Sequence, residues 1–292
     1  MKKNRSGKLK VKKLILFIFI LVVSISLLVM GIGKSISFLL GKMNDNGQAL
    51  SYYLLIGTDK NTGNEADAIV LTAWNSKDQS VTFISIPPNT RLARQEKKNQ
   101  LIKTTFTEGG AEETRSAVEN LLHLRIEKYA VFDFSNFTDY VNKIGGIDLY
   151  VEKSMEHENQ NGEKDIELHQ GYQKLDGERA LGYTRYVEKK NGEISRIQRQ
   201  ERIMKTALLS MQDHFAFYNW MFARYVWKAD ETNMDSGEIS SLAYNLTGYP
   251  KENLKFVILP GETQTIGKVE TWVINPVEVQ KAIALTISSD NG

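Results

Sequence analysis

Arg185, Arg196, Arg199 and Gln200, four side chains suited to gripping phosphate, crowd with Glu193 into one stretch, Tyr183 to Gln200. Gly192 marks a turn there, and a helix is predicted from about Ser195, with Met204, Leu208 and Met211 recurring at helical spacing on its buried face. Arg196 and Gln200 are four apart and share a face. An arginine in the first turn of a helix opposes the macrodipole unless an anion sits opposite. The free N–H groups of a helix start attract phosphate, and a guanidinium fork fits phosphate oxygens two at a time. The segment therefore reads as a phosphate-binding corner or as a solvated basic helix with Arg196 or Arg199 paired to Glu193. Taken alone, it favours the second reading. Two carboxylates bear on the choice. Asp59 closes a Gly57-Thr58-Asp59 turn and Asp67 opens the following strand. Turns at strand ends favour Gly and Asp for backbone reasons alone. Yet two acids eight residues apart across one turn can converge, and a carboxylate pair plus substrate phosphates is a common way to hold Mg2+. Together with the arginine corner, Asp59 and Asp67 suggest a site for a diphosphate.

Other chemistries are excluded by composition. The chain has 292 residues and no cysteine, so disulfides, thiolate catalysis and cysteine-ligated metals are ruled out. Four histidines (His123, His157, His169, His214) show no metal-ligand spacing. A net charge of +2 with 25% charged residues does not describe a general nucleic-acid binder. No basic recognition helix is evident either.

The elements that must position these residues follow from the order of the chain. Residues 1–13 form a basic tail without acids, and residues 14–33 run uncharged for twenty residues, the length of a transmembrane helix. No small-residue cleavage site follows, so an uncleaved anchor is expected, with the basic flank in the cytoplasm and the rest outside the cell. Residues 34–50 read as a juxtamembrane linker and 51–292 as the folded domain. Strands are expected at SYYLLIGTDK, ADAIVLTAW, SVTFISIPP, KYAVFDF, IDLYV and LKFVILPG. Helices are expected at 112–122, 136–144, 236–246 and 276–287, with a short one in GERALGYTRY. Residues 153–170 are polar and read as a long loop. The aromatics between Phe215 and Trp227 suit a core or a segment resting near a bilayer surface, where aromatics are enriched. Interspersed strands and helices predict an α/β or α+β class, a mixed sheet covered by helices.

The joint order of IGTD, EADAIVL, SIPPNT, Gly109-Gly110, YAVFDF, IGGIDLYV, LDGERALGYTR and RIQRQ resembles the LytR–CpsA–Psr family over residues 51–212, and NLKFVILPG fits its usual ending. The resemblance implies an α/β/α sandwich with a long apolar pocket for a polyprenyl tail. It implies a Gram-positive cell-envelope phosphotransferase that moves an anionic glycopolymer, teichoic acid or capsule, from a polyprenyl-pyrophosphate carrier to a peptidoglycan sugar hydroxyl. Asp59 and Asp67 match the magnesium-associated aspartates. Arg185 and Arg196 match arginines that grip the pyrophosphate, Gln200 matches the helix glutamine, and Glu193 stands where aspartate is usual. Arg199 and Lys103 are placed with substrate on the same ground, Lys103 lying close to where a lysine is usual and Leu101 stands instead. The family pattern has arginine at positions occupied here by Glu65, Pro88 and Val187, and aspartate where Asn89 stands. These departures leave the site about three charges less positive than the pattern. They keep open a second reading, a non-catalytic relative that binds lipid carrier or glycopolymer as a partner or regulator.

Overall fold

The computed structural model describes residues 50–59, 63–92, 100–159, 161–188, 192–213, 216–225 and 229–287. All lie within one compact unit, Gln48–Gly292. The basic tail, the apolar stretch at 14–33 and the linker up to residue 49 fall outside the described residues. Among the described residues no helix is long and apolar enough to cross a membrane.

A six-stranded mixed sheet forms the centre. Its first three strands are β1 (Leu50–Thr58), β2 (Ala66–Asn75) and β3 (Ser80–Ile86), an antiparallel meander. β4 (Lys128–Asp133) runs parallel to β1 on one side, and β10 (Leu254–Ile258) runs parallel to β3 on the other. The short β9 (Glu231–Thr232) closes the edge beside β4.

Period-two alternation sends apolar residues to both faces of this sheet, and each face carries helices. On one face Leu54, Ile56, Ile69, Leu71, Ile84 and Ile86 are fully buried. They pack with Phe106, Ala117 and Val118 of α1 (Thr104–Leu122) and Val279 of α7 (Pro276–Ile287). On the other face Trp74, Val81 and Phe83 meet Leu246 of α6 (Ser236–Gly248) and the half-buried Met204, Leu208 and Leu209 of α4 (Gly192–Gln212). This gives the expected α/β sheet covered by helices. Beside it, β5 (Ile147–Val151) pairs with β8 (Gly171–Leu175). A third apolar cluster joins them to α2 (Phe134–Lys143), α3 (Gly177–Arg185) and Ile203 of α4.

Three expectations are corrected. The polar stretch 153–170 contains a hairpin, β6 (Met155–Glu158) with β7 (Lys164–Leu168), not a continuous loop. Only Met155, Ile166 and Leu168 face inward there, and every outward position is polar, so the apolar signal is too sparse to read. Residues after the last expected strand form another hairpin, β11 (Gly261–Ile266) with β12 (Val269–Ile274), whose outer face is likewise polar. Finally α1 starts at Thr104, eight residues before the expected helix. Gly109 and Gly110 interrupt its φ/ψ, and Gly110 sits at φ +67°, where a side chain would be strained.

Gly177 is more than a turn residue. It opens α3 after the cap Asp176, and its N–H donates to the Asn142 side chain at 2.8 Å. A Cβ at this position would lie 2.3 Å from the Thr138 carbonyl oxygen of α2. Gly177→Ala must push α3 from α2, and is expected to cost about 1–3 kcal/mol. Urea unfolding of the two proteins measures this, and an unchanged midpoint would remove the packing argument.

Candidate functional site

The β1–β2 turn brings its two acids together at one end of the sheet. A register shift between Gly57 and Thr58 offsets the ladder, with Thr58 opposite Ala66. Asp59 follows β1 and is buried, and Asp67 in β2 is half-buried. Arginines from two helices reach them. Arg185 ends α3, where the helix dipole favours a cation. Its Nη2 lies 3.5 Å from Asp59 Oδ2, with the guanidinium 5.7 Å from the Phe134 ring centre. Arg196 on α4 donates from Nη2 to the Asp67 backbone carbonyl at 3.2 Å, and its Nη1 lies 3.8 Å from Asp67 Oδ1. Arg196 Nε also donates to Glu193 Oε1 at 3.1 Å, and Nη2 makes a second, closer contact with the same oxygen. Glu193 lies in the first turn of α4, which starts at Gly192 rather than near Ser195, so an acid complements the dipole there. The pairing of Arg196 to Glu193 and its reach to Asp67 occur together; the two readings of the segment are not exclusive.

Lys103 completes the cluster. Its N–H donates to the Pro88 carbonyl and its carbonyl accepts from Ala66 N–H, pinning it between β2 and the end of β3. Its ammonium then pairs with Glu65 Oε2 at 2.6 Å. Burial raises the Asp67 carboxyl above its ordinary range. Arg196 and Lys103 pull it down, and Asp59 and Glu193 push it up. Asp67 thus sits in the field of four other predicted site residues. Gln200 follows Arg196 by one turn of α4 and is half-buried.

A family model described as the LytR_cpsA_psr family matches residues 35–286. The chain belongs to this family. TagV of Bacillus subtilis, a polyisoprenyl-teichoic acid–peptidoglycan teichoic acid transferase, is 28% identical over 218 residues, 72% of this chain and 56% of TagV. The chain spans about half the length of the curated relatives it matches. The crystal structure of B. subtilis TagV superposes with a TM-score of 0.70 at 23% identity, over 82% of this chain and 97% of that one. TagT (YwtF), solved with bound octaprenyl pyrophosphate lipid, superposes at 0.63 with 21% identity, over 83% and 92%. At these identities the structural likeness establishes the fold, an α/β fold with a mixed central sheet.

Two of the four positions that depart from the expected pattern have partners of their own. Glu65 engages Lys103. Pro88 is buried, and Asn89 donates to the Glu270 carbonyl at 3.2 Å on β12. Val187 is exposed.

Arg199 stands apart from the other predicted site residues. It is only 2% exposed. Its Nη1 pairs with Glu152 at 3.1 Å and Glu188 at 3.0 Å, its Nη2 donates to the Tyr186 carbonyl at 2.7 Å, and it stacks over the Tyr186 ring. Glu152 also accepts from Tyr183 and Arg202. Burial works against its charge, yet its hydrogen bonds and Arg202 hold the Glu152 carboxyl below the usual range. Hydrogen bonds from Lys153 and Arg199 hold Glu188 low as well. Arg199 thus joins α4 to the strand end at Glu152 and to Tyr186 and Glu188, which follow Arg185. Glu152 has no signal in the sequence, because 47 residues separate it from Arg199 and no local spacing links them.

Asp59 and Asp67 offer two carboxylates, the hard oxygen donors that a magnesium ion takes. Among the described residues no group of three or more acids or histidines could hold a metal alone.

Two stability measurements follow. Arg199→Ala leaves Glu152 and Glu188 without their buried cation and should cost about 3 kcal/mol or more in urea unfolding. Asp67→Asn should act in the opposite direction. A carboxyl raised in the folded state has no such penalty below its unfolded pKa, where it is protonated in both states. The penalty grows as pH rises from the unfolded value to the higher folded value and is complete above it. Asp67→Asn should therefore raise Tm by up to a few degrees at about pH 7 and leave it unchanged below about pH 3.5. A lower Tm at neutral pH would contradict the burial account.

Proposed function

We propose that this chain is a membrane-anchored phosphotransferase that moves an anionic glycopolymer of the teichoic acid or capsule type from a polyprenyl-pyrophosphate carrier to peptidoglycan. The observation that carries the reading is the meeting of Arg185 and Arg196 with Asp59 and Asp67 at one end of the sheet. The transferase name of TagV and the lipid bound to TagT support it.

The geometry suggests how the residues divide the work. Both Arg–Asp carboxylate pairs, at 3.5 and 3.8 Å, are longer than a hydrogen bond. Each guanidinium thus has donors to offer phosphate oxygens in its forked geometry. Arg185 and Arg196 would bind the pyrophosphate and stabilise charge on the departing polyprenyl phosphate, and Glu193 would orient Arg196. Asp59 and Asp67 would hold Mg2+, which when bound neutralises phosphate charge. In the reaction a sugar hydroxyl of peptidoglycan forms a new P–O bond at the glycopolymer's phosphorus. The bridging P–O bond to the polyprenyl phosphate breaks, and the hydroxyl proton leaves to solvent. We assign the polyprenyl tail to the seam between the sheet and helices α4 and α6. There Tyr53, Val70, Met204, Leu208, Leu242 and Phe256 are only partly buried. Glu201 borders this seam on α4; it accepts from Ser85 Oγ at 2.9 Å, and burial raises its carboxyl.

The second reading, a non-catalytic binder of lipid carrier or glycopolymer, draws support from one observation. Glu65 neutralises Lys103 where the family pattern supplies positive charge. One assay separates the two: full-length protein, a polyprenyl-pyrophosphate-linked glycopolymer analogue, peptidoglycan acceptor and Mg2+. Transfer with release of polyprenyl phosphate is expected, and Arg196→Ala or Arg185→Ala should slow it by ~100-fold or more. A silent natural protein that becomes active on combining Glu65→Arg with Pro88→Arg would establish the binder instead.

A further inference from the structure

The helix α5 (Ala216–Tyr225) turns an apolar face to solvent. Its Asn219 and Ala223 are buried, while Tyr218, Met221 and Tyr225 are 45%, 42% and 71% exposed. These three fall at i, i+3 and i+7, one stripe of a helix about 10 Å long. Arg224 flanks the stripe and is also exposed. Phe222 and Trp220 stiffen it from behind, Phe222 against Tyr140 and Trp220 against Tyr225. A row of two tyrosines and a methionine beside an arginine is unusual for a face so open to water. It has the composition of a helix lying at the boundary between lipid headgroups and acyl chains.

The position of α5 indicates what covers it. Its last turn is tied by Arg224 Nη1 to Ser236 Oγ at 2.9 Å, at the start of α6. The start of α6 is tied in turn to Lys128, which bonds Glu238 and the Asn233 carbonyl. Lys128 pairs with Tyr53 in the ladder, near the beginning of β1. So the exposed stripe ends close to the point where the chain enters the compact unit from residues 34–49. Those sixteen residues reach at most ~55 Å when fully extended. An anchor at residues 14–33 would keep α5 within that reach of a bilayer. The acids Asp59 and Asp67 lie at the other end of β1 and β2, so a surface here leaves the site clear.

We propose that the stripe Tyr218–Met221–Tyr225 docks on the lipid bilayer interface and fixes how the domain stands on the membrane. The inference rests on the anchor reading and not on transferase activity.

The absence of cysteine in the chain makes the test direct, because one introduced thiol is the only one. Full-length protein is reconstituted in phosphatidylcholine/phosphatidylglycerol vesicles carrying lipids spin-labelled near the headgroup, or deep in the acyl chain to read the anchor. Single variants Tyr218→Cys, Met221→Cys and Tyr225→Cys carry an environment-sensitive fluorophore. Tyr172→Cys, at a position 88% exposed on β8, is the aqueous control, and Ser24→Cys, within residues 14–33, reports on the anchor. The three α5 labels should shift to the blue and be quenched at least threefold more than the control. Met221→Asp should return the Tyr218→Cys label toward the control value without altering the Ser24 signal. Overturning results are α5 labels that behave like the control, and labels that shift to the blue without lipid quenching, which would mean contact with protein. An unquenched Ser24 label would instead remove the anchor, and the proposal with it, while leaving the transfer assay to be judged alone.

Discussion

The contact on which the site depends is Arg196 against Asp67. One guanidinium donates to the Asp67 main-chain carbonyl, lies beside its carboxylate and holds Glu193 on its own helix. This bond from side chain to main chain couples α4 to the position of β2, whatever the charge on the Asp67 carboxyl. It sets a helix start against a strand end. Two carboxylates, Asp59 and Asp67, raise each other's cost of ionisation, and burial adds to that cost at Asp67. Cations must stand near them, yet not so close that every donor is spent. Both ion pairs meet that condition by staying beyond hydrogen-bond distance.

A second set of charges holds this arrangement from behind. Arg196 and Arg199 are three apart on α4 but serve different partners. Arg196 turns toward the β1–β2 acids, and Arg199 is enclosed by Glu152, Glu188 and Tyr186. Burying such a network adds little net stability over apolar packing, and removing one partner is costly. What it supplies is a fixed rotation of α4 and a fixed place for Tyr186 and Glu188 after Arg185. A rotated α4 would strand Arg199 among apolar neighbours and withdraw Arg196 from Asp67. The register of the helix is thus set twice, once by each arginine.

The central sheet was legible because its strands are apolar on both faces and bounded by turn residues. IGTD, EADAIVL and FISIPP carry that signal locally. The convergence of Asp59 with Asp67 was legible for the same reason, since one turn joins them. The arginines were legible as a group, but not their division of labour. Which face of a helix an arginine serves depends on acids far away in sequence, such as Glu152, and no spacing records that. The hairpins β6–β7 and β11–β12 escaped notice because strands with few inward apolar residues look like polar loops. The face of α5 is a related case: an aromatic run reads equally as core or as surface, and only packing against α6 decides which residues are left outside.

Glu65 alters how such a site can work. In this chain an acid stands where the family pattern has an arginine, and it is joined to Lys103 at 2.6 Å. Among the described residues, Arg185, Arg196 and Lys103 are then matched against Asp59, Glu65, Asp67 and Glu193, with no surplus positive charge. A pyrophosphate approaching these groups would meet a field that is not attractive on balance. It can bind only by exchange, taking the place of a carboxylate at a guanidinium, or by bringing cations with it. Arg185 is the group best placed for exchange, because its side chain is 40% exposed and its contact with Asp59 is loose. Lys103 is the worst placed, since its short pair with Glu65 would have to break. The buried acids then favour a ligand that arrives with a divalent ion over one that arrives bare. In such a site the metal would carry much of the attraction that additional arginines supply in the family pattern.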